Sequence, residues 1–370
     1  MKHRDEYREG RTARQWIERI RERVDTPLRV MEVCGGQTHT LIRSGIDQLL
    51  EGKVELIHGP GCPVCVTPLE KIDRAIELAG RPDVIVASYG DMLRVPGSRD
   101  DLLSARARGG DVRVVYTPLD AVKLAAENPD REVVFFAVGF ETTAPANGMA
   151  VLEAQRKGLE NFSIIVSHVL VPPAVRAILD EPEGRVQGFL APGHVCAIMG
   201  TREYQALVDE YGVPFVVAGF EPLDLVYGLA KLTDHLLAGT ATVDNAYART
   251  VPADGNPAAR AVIERVFETT DMAWRGLGVL PGSGLRLAPG FEAFDAERRF
   301  GVDTVTAEES EVCIAGLVLQ GRRKPHECPA FGKECTPDSP LGAPMVSTEG
   351  ACAAYHAFRR DTVPAAGEEA

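Results

Sequence analysis

Short runs of β-branched and other apolar residues, most ending in a glycine- or proline-rich turn, recur between residues 28 and 220. The first four are Leu28–Val33, Val54–Ile57, Val84–Ala87 and Val112–Tyr116. The next four are Val133–Val138, Ser163–Val166, Gly188–Leu190 and Phe215–Val217. Helically spaced segments separate most of them, including Leu69–Leu78, Ala121–Glu127, Gly148–Arg156 and Arg202–Tyr211. Strands alternating with helices predict an α/β fold whose parallel sheets are covered on both faces. Taken in order, the strands suggest two similar Rossmann-like domains, residues 28–130 and 131–240, facing a cleft. Ahead of them, Trp16, Ile17, Ile20 and Val24 predict an amphipathic helix over 12–24, within an N-terminal segment 1–27. Behind them, residues 241–256 read as a linker. Residues 257–370 carry four of the eight cysteines and read as a metal-stapled third domain, with Ala365–Ala370 frayed.

Charge and hydropathy narrow the function classes. The 370 residues carry 40 basic and 53 acidic side chains, a net charge of -13, which argues against a general nucleic-acid or anionic-membrane binder. No apolar run approaches the length of a transmembrane helix. The N-terminus, Met1-Lys2-His3-Arg4-Asp5-Glu6, stays charged to Arg23 and lacks the apolar region of a signal peptide, so a cytoplasmic protein is expected. In that compartment, eight cysteines suit metal binding or redox chemistry better than a disulfide framework.

Ligands of parallel sheets bind beyond the carboxyl ends of the strands. Cys34-Gly35-Gly36-Gln37-Thr38-His39 follows the first strand, and Gly59-Pro60-Gly61-Cys62-Pro63-Val64-Cys65 the second. Tyr89-Gly90-Asp91 follows the third. Later come Gly139-Phe140-Glu141, His168, Pro192-Gly193-His194 and Gly219-Phe220-Glu221. Any one of these could be an ordinary turn residue; their recurrence is better explained by a cleft lined from both domains.

The cysteines differ in setting. Beyond Cys62-x-x-Cys65, Thr67, Pro68 and Glu70 predict a capping box, whose helix N-terminus would favour a thiolate. That spacing permits a reversible disulfide, with half a zinc site or an inert core pair as alternatives. Cys34, a lone thiol five residues before His39, suits a soft or borderline metal, a nucleophile with a histidine base, or simple burial. Cys313, Cys328, Cys335 and Cys352 fit either a [4Fe–4S] cluster or a structural zinc. Cys196 lies in an apolar run and is expected to pack. The chain has no phosphate-binding Gly-x-x-x-x-Gly-Lys-Ser/Thr loop, no His-Glu-x-x-His and no Gly-x-Ser-x-Gly elbow.

Four segments together carry a resemblance: Met31-Glu32-Val33-Cys34-Gly35-Gly36, Gly59-Pro60-Gly61-Cys62-Pro63-Val64-Cys65, Pro192-Gly193-His194-Val195, and Gly342 through Cys352. From about residue 28 to 358 the chain resembles the HypD family of hydrogenase maturation proteins. The resemblance implies a scaffold on which the Fe(CN)₂CO unit of [NiFe] hydrogenase is assembled. It implies a small chaperone partner, HypC, and a cyanide donor, HypE, which carries cyanide as a thiocyanate on its own cysteine. It also implies one [4Fe–4S] cluster on Cys313, Cys328, Cys335 and Cys352. Cys34 would then be the protein ligand to iron, with His39 the less secure carry-over. Releasing cyanide from thiocyanate consumes two electrons, which Cys62 and Cys65 can store and a cluster can supply one at a time. Asp91, Glu141, His168, His194 and Glu221 would supply protons or position ligands. Two other readings stay open: a stand-alone iron–sulfur protein disulfide reductase, and a non-enzymatic two-lobed ligand-binding module.

Overall fold

The computed structural model describes residues 10–182, 184–303 and 310–359. The charged Met1–Glu6 stretch and the Ala365–Ala370 end lie outside the described residues. The strands are β1 (Leu28–Glu32), β2 (Val54–His58), β3 (Val84–Ser88), β4 (Asp111–Val114), β5 (Glu132–Gly139), β6 (Phe162–His168), β7 (Gly188–Pro192), β8 (Phe215–Ala218), β9 (Val243–Asn245), β10 (Phe267–Trp274) and β11 (Gly278–Leu287). The first nine build two wholly parallel sheets, ordered β2-β1-β7-β8-β9 and β4-β3-β5-β6.

The α/β class follows the periodicity, but the grouping of strands does not follow chain order. β1 pairs with β2 on one side and with β7 on the other, not with β3 or β4, so the second sheet, residues 84–168, is an insertion within the first. Both halves expected from the sequence, 28–130 and 131–240, are therefore split between sheets. Every residue of β3 and β6 is buried, the unbroken run of a strand covered on both faces. Such a run does not encode its neighbour; pairing is settled by which faces the packed layers cover.

Two further boundaries move for the same reason. The stretch 241–256 contains β9, which pairs with β8 as an edge strand, so it is part of the first sheet. The helix Pro257–Val266 packs on the helix Ala144–Lys157, and Ile263, Phe267, Leu285 and Phe294 join Phe135 and Phe162 in one apolar cluster. Residues 257–294 thus cover the second sheet, and β10 and β11 form an antiparallel hairpin against β6. Each large side chain buried this way contributes about 1.5–3 kcal/mol. The segment 310–359 is the part that gathers the four late cysteines.

The N-terminal helix forms over Gly10–Arg23, burying Ala13, Ile17 and Ile20 and packing on the helix Pro222–Ala238. Among the described residues, no helix is long and apolar enough to cross a membrane.

A candidate thiol site at the strand ends

Cys34 leaves β1 and caps the helix Gly35–Arg43 with extended backbone. Cys62 leaves the loop after β2 and caps the short helix Pro63–Val66, its Sγ accepting from the Cys65 amide at 3.2 Å. The two loops touch. Gly35 N–H donates to the Gly61 carbonyl at 2.7 Å, and Gly59 N–H to the Glu32 carbonyl at 2.8 Å. A Cβ at position 61 would fall 2.1 Å from the Cys34 nitrogen, and one at 35 would lie 3.2 Å from the Cys62 Cβ. Glycine at both positions is what lets Cys34 and Cys62 share one corner of the first sheet. Cys62 and Cys65 form a disulfide, Cα atoms 5.2 Å apart.

The expected capping box is absent. Thr67 ends the Pro63–Val66 helix, its hydroxyl donating back to the Pro63 carbonyl at 2.8 Å, and Pro68 occupies the N-cap of the helix Leu69–Ala79. The helical dipole nearest the thiols belongs to the short helix that Cys62 itself starts.

Burial, with the carboxylates of Glu349 and Glu32 nearby, pushes the Cys34 thiol up to about 12, although the Gly36 and Gln37 amides favour its anion. It is therefore a neutral thiol near pH 7, and a metal cation is what would displace its proton. Glu32 is wholly buried and takes three donors: the Cys34 amide at 3.0 Å, the Thr38 hydroxyl, and His58 Nδ1 at 2.8 Å.

The tail closes over this corner. His39 Nδ1 lies 2.9 Å from the Thr348 carbonyl, fixing the histidine to the tail. The Glu349 carboxyl is raised by burial and by Asp91, and lowered by His39, so both groups lie within electrostatic reach of it. From the other side, the His194 imidazole stacks on Phe220 with centroids 3.7 Å apart, and a Cβ on Gly36 would meet that phenyl ring at 3.2 Å. Burial lowers the His194 pKa.

The remaining sequence candidates sit elsewhere. Glu141 is buried, one oxygen accepting from the Val171 amide at 2.9 Å and the other without a partner; burial lifts it to about 8. It lies near Cys196, a fully buried thiol whose pKa both Glu141 and Cys34 raise further. His168 is enclosed in the second sheet against Asn147 and Phe267, and burial drops it to about 3. Glu221 caps the helix Pro222–Ala238 in a reciprocal arrangement with Asp224. Cap and core duties thus account for Glu221 and His168.

Cys313, Cys328 and Cys335 come from loops of the tail and Cys352 from the first turn of the helix Ala351–Phe358. Cys313 and Cys335 are each raised by burial first, and Cys352 by burial and then by the other three thiols. Cys328, Cys335 and Cys352 pack with Phe331 and Tyr355, and a Cβ on Gly342 would meet the Cys313 sulfur at 2.5 Å. Among the described residues, no His, Cys, Asp and Glu group is drawn together into a metal-holding set. The donor chemistry nonetheless fits a thiolate-ligated centre: four sulfurs near enough to oppose one another's ionisation need a cation to become anionic together.

Sequence reasoning did not single out Glu32, His58, Glu349 or Tyr355. The signal for Glu32 and His58 was there: an acid and a histidine closing two strands at matching positions, each right after two apolar residues.

A family model described as HypD, the hydrogenase formation hypA family, matches residues 11–359. Curated relatives match over nearly their whole length. The hydrogenase maturation factor HypD of Azotobacter vinelandii is 50% identical over 369 residues, covering 97% of each chain. That of Rhodobacter capsulatus is 47% identical, covering 96% of this chain and 97% of the relative. That of Escherichia coli K12 is 46% identical, covering 96% and 98%.

Proposed function

Because the chain belongs to the HypD family of hydrogenase formation proteins, we propose that it is the scaffold on which the Fe(CN)₂CO unit of [NiFe] hydrogenase is put together in the cytoplasm. The observation that carries this reading is the contact between the Cys34 loop and the Cys62–Cys65 loop, which puts a lone thiol beside a redox pair. A lone thiolate can ligate iron but cannot store two electrons; the pair can.

In this reading the cargo iron binds Cys34, which gives up its proton on doing so, while a HypC-like chaperone supplies a further ligand. A HypE-like donor presents cyanide as a thiocyanate on its own cysteine. The two thiols of the reduced Cys62–Cys65 pair react with that R–S–C≡N group. The S–CN bond breaks, the Cys62–Cys65 bond forms, and the products are the donor's thiol and HCN. Two electrons leave the pair and both its protons are accounted for. HCN then loses its proton as cyanide binds iron. His39, held by the tail, and Glu349, raised by its burial, stand next to the Cys34 turn as groups able to take or return these protons.

The four tail thiols suit a [4Fe–4S] cluster, which when bound supplies electrons one at a time. Around it the chain's own contribution is to hold Cys313, Cys328, Cys335 and Cys352 and to shield them with Phe331 and Tyr355.

The test is iron content and infrared absorption of the protein purified with its chaperone partner. Cyanide and CO stretching bands are expected for the unaltered protein. Cys34→Ala should abolish them together with all iron beyond the cluster. Absence of those bands and of iron beyond the cluster from the unaltered protein would overturn the scaffold reading and favour a stand-alone iron–sulfur disulfide reductase, whereas their retention in Cys34→Ala would remove Cys34 as the ligand.

A further inference from the structure

Glu32 and His58 end neighbouring parallel strands in direct register, so their side chains emerge on the same face of the sheet. Both are buried. A buried carboxylate is tolerated only when hydrogen-bonded, and Glu32 is bonded on each oxygen. One oxygen accepts from the Cys34 amide and the other from Thr38 and His58, so this single group grips the turn on both sides of the thiol. His58 has one nitrogen left, and the Tyr355 hydroxyl lies 3.3 Å from it. With Nδ1 donating to Glu32, Nε2 is the ring atom that meets the phenol.

Tyr355 belongs to the helix Ala351–Phe358, one turn after Cys352, and that helix packs on the helix Gly35–Arg43 that Cys34 begins. Its ring lies among Ile42, Phe331 and Cys335. Where Tyr355 sits is therefore fixed by how the cysteine-bearing tail is folded.

We infer that Tyr355, His58 and Glu32 form a positioning chain that sets the Cys34 turn according to how the tail helix is seated. The inference deepens the scaffold reading, which makes Cys34 the working thiol. All three are positioning residues: they reach Cys34 through its amide and the adjoining helical turn. The chain gives the tail two links to that turn, this one through the core and the Thr348–His39 contact at the surface.

The experiment measures alkylation of Cys34 by iodoacetamide in the full-length protein with its tail cluster in place but without cargo iron or partner, by mass spectrometry of the Cys34 peptide. Tyr355→Phe removes the outer link alone. His58→Asn keeps an amide near the Nδ1 position for Glu32 but cannot reach Tyr355. Each is expected to speed Cys34 alkylation roughly threefold to tenfold, the weight of one buried hydrogen bond. The fully buried Cys196 is the internal control, and its rate should stay within about twofold of the unaltered protein. Unchanged Cys34 rates in both variants would overturn the inference. So would equal acceleration of Cys196, which means general loosening. A null result leaves the iron assignment standing, whereas iron retained by Cys34→Ala removes that assignment without touching these rates.

Discussion

Glu349 occupies the space that a side chain on Gly35 would need: a Cβ there would stand 2.6 Å from the Glu349 Cβ and 2.7 Å from its carbonyl oxygen. The tail is thus seated directly on the turn that carries Cys34, and the absence of a side chain is what allows the approach. Gly35→Ala should lift the tail from the turn at a cost of about 1–3 kcal/mol, as overpacking does. Faster proteolytic cleavage between residues 342 and 352 and a lowered melting temperature would register it. A variant as stable and protease-resistant as the parent would contradict the seating described.

The late cysteines give the second prediction. The protein purified without air is expected to be brown and to carry four cluster irons. Cys335→Ala should bleach it and loosen the tail, because ligation there doubles as folding energy. Elemental analysis and visible absorption decide this. A colourless protein with stoichiometric zinc would replace the cluster with a structural metal.

A third prediction separates ligand from redox pair. Cys65→Ser should keep the cluster and some iron on Cys34 yet stop cyanide transfer, whereas Cys34→Ala should lose the iron itself. Iron assays and infrared bands on both variants are the measurement. Equal iron loss in the two would mean that all three thiols ligate together.

The pH dependence of stability follows from two buried groups. Glu141 ionises near 8 in the folded chain against an ordinary 4.5, so between those values the folded state holds a proton that the unfolded state has lost. Stability falls as pH rises through that window, by at most about 1.4 kcal/mol per unit. His168 ionises near 3 against 6.5, so the unfolded state binds the extra proton, and stability falls as pH drops from 6.5 to 3. The two oppose each other between 4.5 and 6.5 and act alone outside it. Among the groups near Glu141, Glu203 raises it further, and Cys196 and Tyr204 lie close by. Glu141→Gln should flatten the melting-temperature decline between pH 6.5 and 8. Persistence of the full decline would show that another group causes it.

Much of the site was legible one residue at a time. Cys34 opens a glycine-bearing turn right after β1, Cys62 and Cys65 follow the one after β2, and parallel sheets put such turns at one end. The strand partners were not legible. Val84–Ala87 is apolar throughout, so the run carries no alternating pattern to say what lies beside it. Nor did His168 or Glu221 announce their duties, because a strand-end histidine in the core and one in a cleft have the same local sequence.

Local periodicity and residues a few positions apart were enough for the α/β class, the helix–strand alternation, the thiols at the strand ends and the family. Long-range packing set the rest: β1 joins β7 across an inserted sheet, Glu349 and Thr348 close on Gly35 and His39, and Glu32 reaches Tyr355 through His58. Each of those relations joins residues that no short-range pattern links. They exist because buried polar groups must find partners and apolar faces must find cover, and the whole chain settles both at once.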